Sequence, residues 1–156
     1  MKNILIPVGA GLPKVSEHWL QTKDGDAAAR ELFDRHYSRY FYADGRKPKL
    51  FVGPGGKMVL LSLDGDALFV WRKFISKEAG VNCAIFRNEG TIRSSSLILE
   101  AEQLAWARWP GERLFTYVNP AKVRSTNPGA CFKMAGWRVC GITKKRRYLI
   151  LEKLPK

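Results

Sequence analysis

The chain has 156 residues, a hydrophobic content of 46% and five tryptophans, which fits one globular domain and excludes a disordered chain. No apolar run approaches about 20 residues, which excludes a membrane-spanning helix. The 27 Lys and Arg against 14 Asp and Glu give a net charge of +13, an excess that attracts DNA, RNA or a phosphorylated ligand. The alternative is a basic protein with no polyanion partner.

The cysteines and histidines argue against a metal site. Cys83, Cys131 and Cys140 are odd in number and follow no metal-ligand spacing, so we expect reduced thiols in a cytoplasmic protein. With only two histidines, we expect no metal. The sequence leaves open whether the protein is a monomer or a homodimer.

The predicted elements follow an N-terminal arm. Residues 1–23 mix Gly, Pro and polar residues, so we expect an arm there and a single domain over 24–156. Helical spacing begins near Asp24. In chain order, the patterns predict a helix that ends before Asp44, strands at 58–63, 67–71 and 81–86, a main helix at 94–109, a strand at 113–118, a short helix from Pro128, and strands at 137–143 and 148–153.

The main helix joins the third and fourth predicted strands. A right-handed crossover of this kind makes those two strands parallel in an otherwise antiparallel sheet. Beyond them, Asn127 supplies an N-cap side chain, Pro128 fits the first helical position, and Gly136 fits a left-handed helix stop. A strand that splays and leads into a short capped helix opens a slot. The sequence therefore predicts an α/β (α+β) fold, a mixed, mostly antiparallel twisted sheet with a central splayed parallel strand pair and flanking helices.

This element order, over residues 24–153, resembles the GNAT superfamily of N-acetyltransferases. The last helix carries the same resemblance through Asn127, Ala130, Phe132, Gly136 and Trp137. The resemblance implies that acetyl-CoA or a related acyl-CoA is the donor. Its pantetheine arm would lie between the splayed strands, 82–86 and 114–118.

Two features depart from the superfamily's usual pattern. Residues 88–96 replace the glycine-rich pyrophosphate loop; their N–H groups, serine hydroxyls and Arg93 can hold phosphate, or the serines only cap the helix. Phe132 stands where a tyrosine commonly protonates the CoA thiolate, and a phenyl ring has no such proton. The implied cofactor contacts are Phe86, Arg93, Ser94, Ser95, Ser96, Asn127 and Phe132.

A narrower resemblance is carried by Arg-His-Tyr-Ser-Arg at 35–39, the serine loop, and Ser-Thr-Asn-Pro-Gly at 125–129. Together they resemble the phage Mom-type DNA-modification proteins. That resemblance implies transfer of a small acyl-derived group to the exocyclic amine of a base in DNA, with adenine favoured, which protects the DNA from restriction. Such an enzyme acts in the host cytoplasm.

Cations and aromatic rings alternate between residues 35 and 49, a combination suited to an extruded nucleotide. Tyr37 and Tyr40 are the stacking candidates, whereas we expect Phe33 and Phe41 in the core. The basic tip at 144–147 is either a phosphate clamp or a solvated turn. The candidate DNA-binding residues are Arg35, Arg39, Tyr40, Arg46, Lys47, Lys49, Lys144, Lys145, Arg146 and Arg147.

His36 is the first candidate for a general base, because an imidazole of pKa near 6.5 can take a proton from the attacking amine at neutral pH. Asp44 and Glu89 are the other candidates for the general base. Alternatively, His36 has only a structural role and is hydrogen-bonded within its helix face. Tyr117 is placed to orient the amine or stabilise developing charge, or is a buried tyrosine bonded to backbone. The catalytic candidates are His36, Tyr37, Asp44, Tyr117 and Ser125.

Two other functions fit the sequence. One is a different acyltransferase of the same fold that acts on tRNA. The other is a nucleic-acid-binding protein without catalysis, on an acyltransferase scaffold that has lost the glycine loop and the tyrosine.

Overall fold

A computed structural model describes residues 11–36, 50–122 and 127–156 of the chain. The elements in chain order are β1 (Trp19–Thr22), α1 (Ala27–Asp34), β2 (Gly56–Ser62), β3 (Ala67–Lys73), β4 (Val81–Asn88), α2 (Ser94–Arg108), β5 (Leu114–Val118), α3 (Ala130–Met134), β6 (Arg138–Ile142) and β7 (Leu149–Lys153). The Asp26 carboxylate accepts from the Ala29 N–H and starts α1. α1 ends at Asp34, with Arg35 as its C-cap, so it stops earlier than the predicted end before Asp44.

The seven strands form one sheet in the order β1-β2-β3-β4-β5-β7-β6. β4 and β5 are its parallel pair, and every other neighbouring pair is antiparallel. The predicted fold class, a mixed and mostly antiparallel sheet with a central parallel pair and flanking helices, is therefore confirmed. The crossover through α2 makes β4 and β5 parallel, as the sequence predicted.

Helices cover both faces of the sheet. On one, the α2/α3 face, the larger core cluster joins α2 and Phe132 of α3 to the sheet. On the other, the α1 face, Ala29 and Leu32 of α1 pack against apolar residues of β2, β3 and β4. Two indole N–H groups fasten α2 to the sheet: Trp19 donates to the Leu97 carbonyl at 3.0 Å and Trp71 to that of Ala101 at 2.9 Å. Among the described residues, no helix is long and apolar enough to cross a lipid bilayer.

The first strand was not predicted. Trp19–Thr22 pairs antiparallel with β2, and the Trp19 side chain is fully buried. Four residues are too few to show a clear alternation of apolar and polar side chains, and the sequence pattern of the arm gave no strand signal. The part of the arm next to Trp19 therefore belongs to the sheet.

The short helix begins later than predicted. α3 starts at Ala130, its N-cap is Gly129 with φ 78°, and no side chain caps it. The prediction that Asn127 is the N-cap was wrong: its Oδ1 accepts from Lys133 Nζ at 2.6 Å. Gly136 has φ 93° and ends the helix as predicted.

A buried ion pair joins α2 to β7 and to the segment after α3. The Glu102 carboxylate, 1% exposed, lies 2.7 Å from Lys153 Nζ and accepts from the Trp137 indole N–H at 2.9 Å.

We expect Lys153→Met to lower the free energy of unfolding by about 3 kcal/mol, because the Glu102 carboxylate then stays buried without its cation. Adding Glu102→Gln should recover part of the loss, since the amide still accepts from Trp137 and carries no charge. Urea unfolding measures both, and equal stability of single and double variants would contradict the prediction.

Candidate functional site

The parallel ladder between β4 and β5 is short. The two strands pair only at Val81–Leu114, Asn82–Phe115 and Cys83–Thr116. Beyond Cys83, β4 continues to Asn88 on β3, whereas β5 continues to Val118 on β7. At the last pair, the Thr116 hydroxyl donates to the Cys83 carbonyl at 2.9 Å. The predicted splay is therefore present, and it begins one residue after Cys83.

A bulge in β4 adds to the divergence. Val70 pairs with Ile85 and Trp71 pairs with Cys83, so Ala84 is an extra residue on β4. A cavity of about 450 Å³ occupies the gap. It is lined by His36, Asn82, Cys83, Ala84, Ile85, Phe86, Thr116, Tyr117, Val118, Asn119, Lys122, Gly129, Cys131, Phe132, Arg146 and Tyr148.

The cavity wall is divided between the two faces of the sheet. Cys83 and Phe86 belong to the α2/α3 face, together with Phe132. Ala84 and Ile85 belong to the α1 face, because the bulge places two successive side chains on the same side. The gap therefore connects the two faces, and ligands that approach from opposite sides of the sheet can meet in it.

His36 is the titratable group of the α1-face wall that fits a proton acceptor. It directly follows the C-cap of α1, its backbone N–H donates to the Phe33 carbonyl at 2.9 Å in a turn, and the residue lines the cavity. Burial and the nearby Arg87 cation lower its pKa to about 4, although a hydrogen bond with the Phe86 backbone opposes the shift. The expected pKa near 6.5 is thus replaced by a lower one. At neutral pH the ring is uncharged and keeps one nitrogen with a lone pair.

Two more polar side chains share that wall. Side-chain alternation places Tyr117 and Asn82 on the α1 face, because their neighbours Val118 and Cys83 lie on the other. Burial raises the pKa of Tyr117, so its hydroxyl is protonated at neutral pH. Asn82 is 7% exposed, and its Oδ1 has no hydrogen-bond partner among the described residues.

The α2/α3-face wall is apolar and aromatic. The Phe86 and Phe132 rings lie 6.0 Å apart, edge to face, and Phe132 packs in turn on Trp137 at 4.9 Å. Cys131 adds a half-buried thiol whose pKa burial raises. Beyond Cys83 the edge of β4 towards β5 has no strand partner, so its peptide groups face the gap. An extended carrier with amide groups, such as a pantetheine arm, fits this wall because it can pair with that edge.

The candidate phosphate site at the start of α2 stands apart from the cavity wall. Arg93 is the N-cap of α2 and no side chain caps the helix, so the alternative that the serines cap it was wrong. Ser94, Ser95 and Ser96 are the first helical residues instead. The Ser94 hydroxyl accepts from Asn88 Nδ2 at 3.0 Å, which ties this loop to the end of β4. None of these four residues lines the cavity. Their role in cofactor binding stays a prediction.

Cations lie at the C-terminal end of β5. Lys122 and Arg146, both exposed, line the cavity. Of the hairpin tip at 144–147, Arg146 is the member that lines it; the other three are exposed next to it. No carboxylate lies among the described lining residues. The opening therefore favours an anionic ligand.

Several predicted residues cannot be placed. Tyr37, Arg39, Tyr40, Asp44, Arg46, Lys47, Lys49 and Ser125 lie outside the described residues. Asn127 is exposed near the cavity mouth but is not among the lining residues.

Sequence reasoning missed several cavity residues. These are Asn82, Cys83, Thr116, Asn119, Lys122, Gly129, Cys131 and Tyr148. The sequence signal for Asn82 and Thr116 was a polar residue inside an apolar strand, within the ranges 82–86 and 114–118 already expected to form the slot.

One group of metal-type ligands lies elsewhere among the described residues. Glu17, His18 and Glu100 approach one another, with His18 Nδ1 2.5 Å from a Glu100 oxygen. That bond raises the pKa of His18. Glu100 also accepts from the Ser16 hydroxyl and the His18 N–H, so the group fastens the arm to α2. It is not part of the cavity.

Comparisons with known proteins leave the function open. Neither a known family model nor a curated protein matches the chain. Among solved structures, the chain is similar to the crystal structure of a protein from Sphaerobacter thermophilus DSM 20745 that is provisionally described as an acetyltransferase. The identity is 14% and the TM-score 0.45, over 90% of this chain and 96% of that chain. A likeness at this level carries no weight for function, so the function has to come from the cavity.

The three thiols give a direct test of what enters the cavity. Cys140 is exposed, Cys131 is half-buried in the wall, and Cys83 is buried, so a maleimide should label them in that order. Coenzyme A at about ten times its dissociation constant should slow labelling of Cys131 by about tenfold and leave Cys140 unchanged. Mass spectrometry of the labelled peptides reads both rates. Equal labelling of Cys131 with and without coenzyme A would place the carrier elsewhere.

Proposed function

We propose that the protein transfers a small acyl-derived group from an acyl-CoA-type donor to the exocyclic amine of a base in DNA, with adenine favoured. The observation that carries the proposal is the cavity through the sheet. On one face it offers an unpaired strand edge and apolar wall that suit a pantetheine arm. On the other it offers a neutral imidazole and a phenol that suit an amine acceptor.

The chemistry requires one proton acceptor on the amine side. When bound, the donor supplies a carbonyl carbon whose bond to sulfur breaks as its bond to the amine nitrogen forms. The lone pair of the His36 ring accepts the proton that the nitrogen loses. A protonated ring with a pKa of about 4 gives that proton up readily, so it can return the proton to the departing sulfur. This offsets the absence of a hydroxyl at Phe132. Tyr117 can donate a hydrogen bond to the developing oxyanion.

The charge distribution supports a nucleic acid as the acceptor. The net charge is +13. Among the described residues of the cavity wall, Lys122 and Arg146 are the ones that carry a charge at neutral pH, and both are cations. Phosphates on either side of an extruded nucleotide would meet these cations while the base enters the gap. The exocyclic amine of a nucleobase is a poor nucleophile, so a proton acceptor next to it, here His36, helps the reaction.

A nucleic-acid-binding protein without catalysis is the second candidate. Phe132 favours it, because the residue that commonly protonates the thiolate is missing. The two candidates differ in whether any nucleoside changes mass.

The decisive experiment expresses the chain in a bacterial host and analyses all nucleosides of its DNA and tRNA by mass spectrometry. We expect a heavier adenine nucleoside in DNA, and resistance of that DNA to restriction. His36→Ala should reduce the modified fraction by about 100-fold and Tyr117→Phe by about tenfold, with DNA affinity within about twofold of wild type.

Lys77→Ala, at an exposed lysine of the β3–β4 loop outside the cavity wall, is the matched control and should leave the modified fraction unchanged. Unchanged nucleosides together with strong DNA binding would establish the second candidate. A change confined to tRNA would move the proposal to the tRNA acyltransferases.

The pH dependence follows from the lowered pKa of His36. The neutral ring is the active form, so the rate should be flat from about pH 5.5 to 8 and fall as the pH drops through about 4. Burial of a neutral histidine also stabilises the fold above its unfolded pKa of about 6.5, and this contribution is lost progressively as the pH falls from about 6.5 to about 4. Circular dichroism at each pH must therefore accompany the single-turnover rates. A midpoint near 6.5 with intact structure would show that His36 is solvated or is not the base.

A further inference from the structure

A carboxylate outside the cavity joins the end of α1 to the end of β4. Glu89 accepts two hydrogen bonds from Arg35, at 2.7 Å from Nε and 3.0 Å from Nη2. It also accepts from Nε of Arg87. These two arginines lower the pKa of Glu89 to about 2, so the carboxylate is ionised at neutral pH. With its oxygens held by two cations and outside the cavity wall, Glu89 is a poor candidate for the base.

The same cluster also binds the backbone of α1. Arg87 Nη1 donates to the carbonyl of Arg35 at 2.7 Å, and Arg35 is the C-cap of the helix. A cation on a terminal carbonyl satisfies an orphan acceptor and complements the helix dipole. The cluster is therefore a closed ring: Arg87 holds the Arg35 backbone, Glu89 holds the Arg35 side chain, and Arg87 also binds Glu89. The next residue in the chain is His36.

Glu89 itself is fixed to the sheet. Its N–H donates to the carbonyl of Asp66 in the β2–β3 hairpin at 2.7 Å, and the N–H of Gly90 donates to Asn88 Oδ1 at 2.9 Å. The ring thus transmits the position of the hairpin and β4 to the end of α1. Isolated surface ion pairs contribute little, but a bidentate pair within a network is the exception.

We propose that Glu89, acting through Arg35 and Arg87, is the positioning residue that holds the His36 imidazole in the cavity wall next to the Phe86 backbone. The inference rests on the proposed function in one respect, that His36 is the base of the reaction. None of the three side chains of the ring is among the cavity lining, so they act through His36 and not on the ligand.

The charged and titratable groups that face His36 come from several elements. On β4 and the loop after it they are Arg87 and the Glu89 carboxylate; on α1 it is Arg35. Across the cavity the described groups are Cys83, Tyr117, Lys122, Cys131, Arg146 and Tyr148. The cations among them disfavour the imidazolium, and Glu89 is the one carboxylate of the set.

Removing Glu89 should change the pKa of His36 in opposite directions, depending on whether Glu89 acts through its charge or by holding the ring in place. If Glu89 acts on His36 only through its charge, its removal makes the surroundings more positive and lowers the pKa of His36 further. If Glu89 holds the ring in place, its removal frees the end of α1, hydrates the ring and raises that pKa towards 6.5.

The chain has two histidines, so nuclear magnetic resonance of the ring Cε1–H groups gives two titration curves, which His18→Gln assigns. In the wild-type chain we expect His36 to titrate near 4 and His18 above 6.5. In Glu89→Gln, the His36 midpoint should rise by about one unit or more, while that of His18 stays. The matched control is Glu112→Gln, which breaks the Lys73–Glu112 pair at 2.5 Å, since Glu112 and Glu89 have similar exposure of 33% and 31%.

Arg35→Lys is the second variant. It keeps the charge at a half-exposed position and loses the paired N–H donors, so it decides the question if Glu89→Gln fails to fold; we expect a smaller rise in the same direction. Glu89→Asp keeps the charge but shortens the reach, and should fall between wild type and Glu89→Gln. A His36 midpoint that stays or falls in Glu89→Gln and Arg35→Lys, with folding intact by circular dichroism, overturns the inference.

The rates of base modification complete the test. Glu89→Gln should lower kcat by about tenfold or more with KM for the donor unchanged, and move the acid limb of the pH profile by the same amount as the His36 midpoint. The titrations need no catalysis. A shifted His36 midpoint without any modified nucleoside therefore supports the positioning role and refutes only the proposed function. Modified nucleosides with an unshifted His36 midpoint support the proposed function and refute the positioning role.

Discussion

The end of the β4–β5 ladder at Cys83 and Thr116 is the constraint on which the rest of the structure depends. Past this pair, β4 keeps its partner β3 as far as Asn88, and β5 keeps β7 as far as Val118. β4 and β5 are each paired on the side away from the gap, so the peptide groups they leave unpaired past this point face the gap. Buried peptide groups without partners are costly. The gap is therefore stable only when water or a polar, extended ligand fills it.

Aromatic packing holds the two halves apart on the α2/α3 face. Phe132 lies between Phe86 of β4 and Trp137, with ring centroids at 6.0 and 4.9 Å. Its helix has only five residues and contributes little by itself; the buried contact between Glu102 and Trp137 ties the chain directly after it to α2. A phenylalanine at this position thus serves the shape of the cavity, and under the proposed function the proton acceptor lies on the opposite face.

The sequence predicted most of the sheet because its signals are local. Apolar runs defined six of the seven strands, and the crossover rule made β4 and β5 parallel. His36, which the sequence singled out through its flanking residues, lines the cavity; its catalytic role stays a prediction. The ring formed by Arg35, Arg87 and Glu89 depends on pairs 52 and 54 residues apart. A spacing rule cannot find such pairs, and the bulge at Ala84 that sets their register gave no separate sequence signal.

Electrostatics explains why an imidazole suits this site better than a carboxylate. Arg35 and Arg87 lower the pKa of Glu89 to about 2, and Arg113 and Arg138 lower the pKa of Glu152. Such an acid is fully ionised, hydrogen-bonded and a weak proton acceptor. A neutral histidine does not pair with cations, and burial together with Arg87 keeps His36 neutral. Under the proposed function, cations that would attract a polyanion and a group that would accept a proton can lie close together because that acceptor carries no charge.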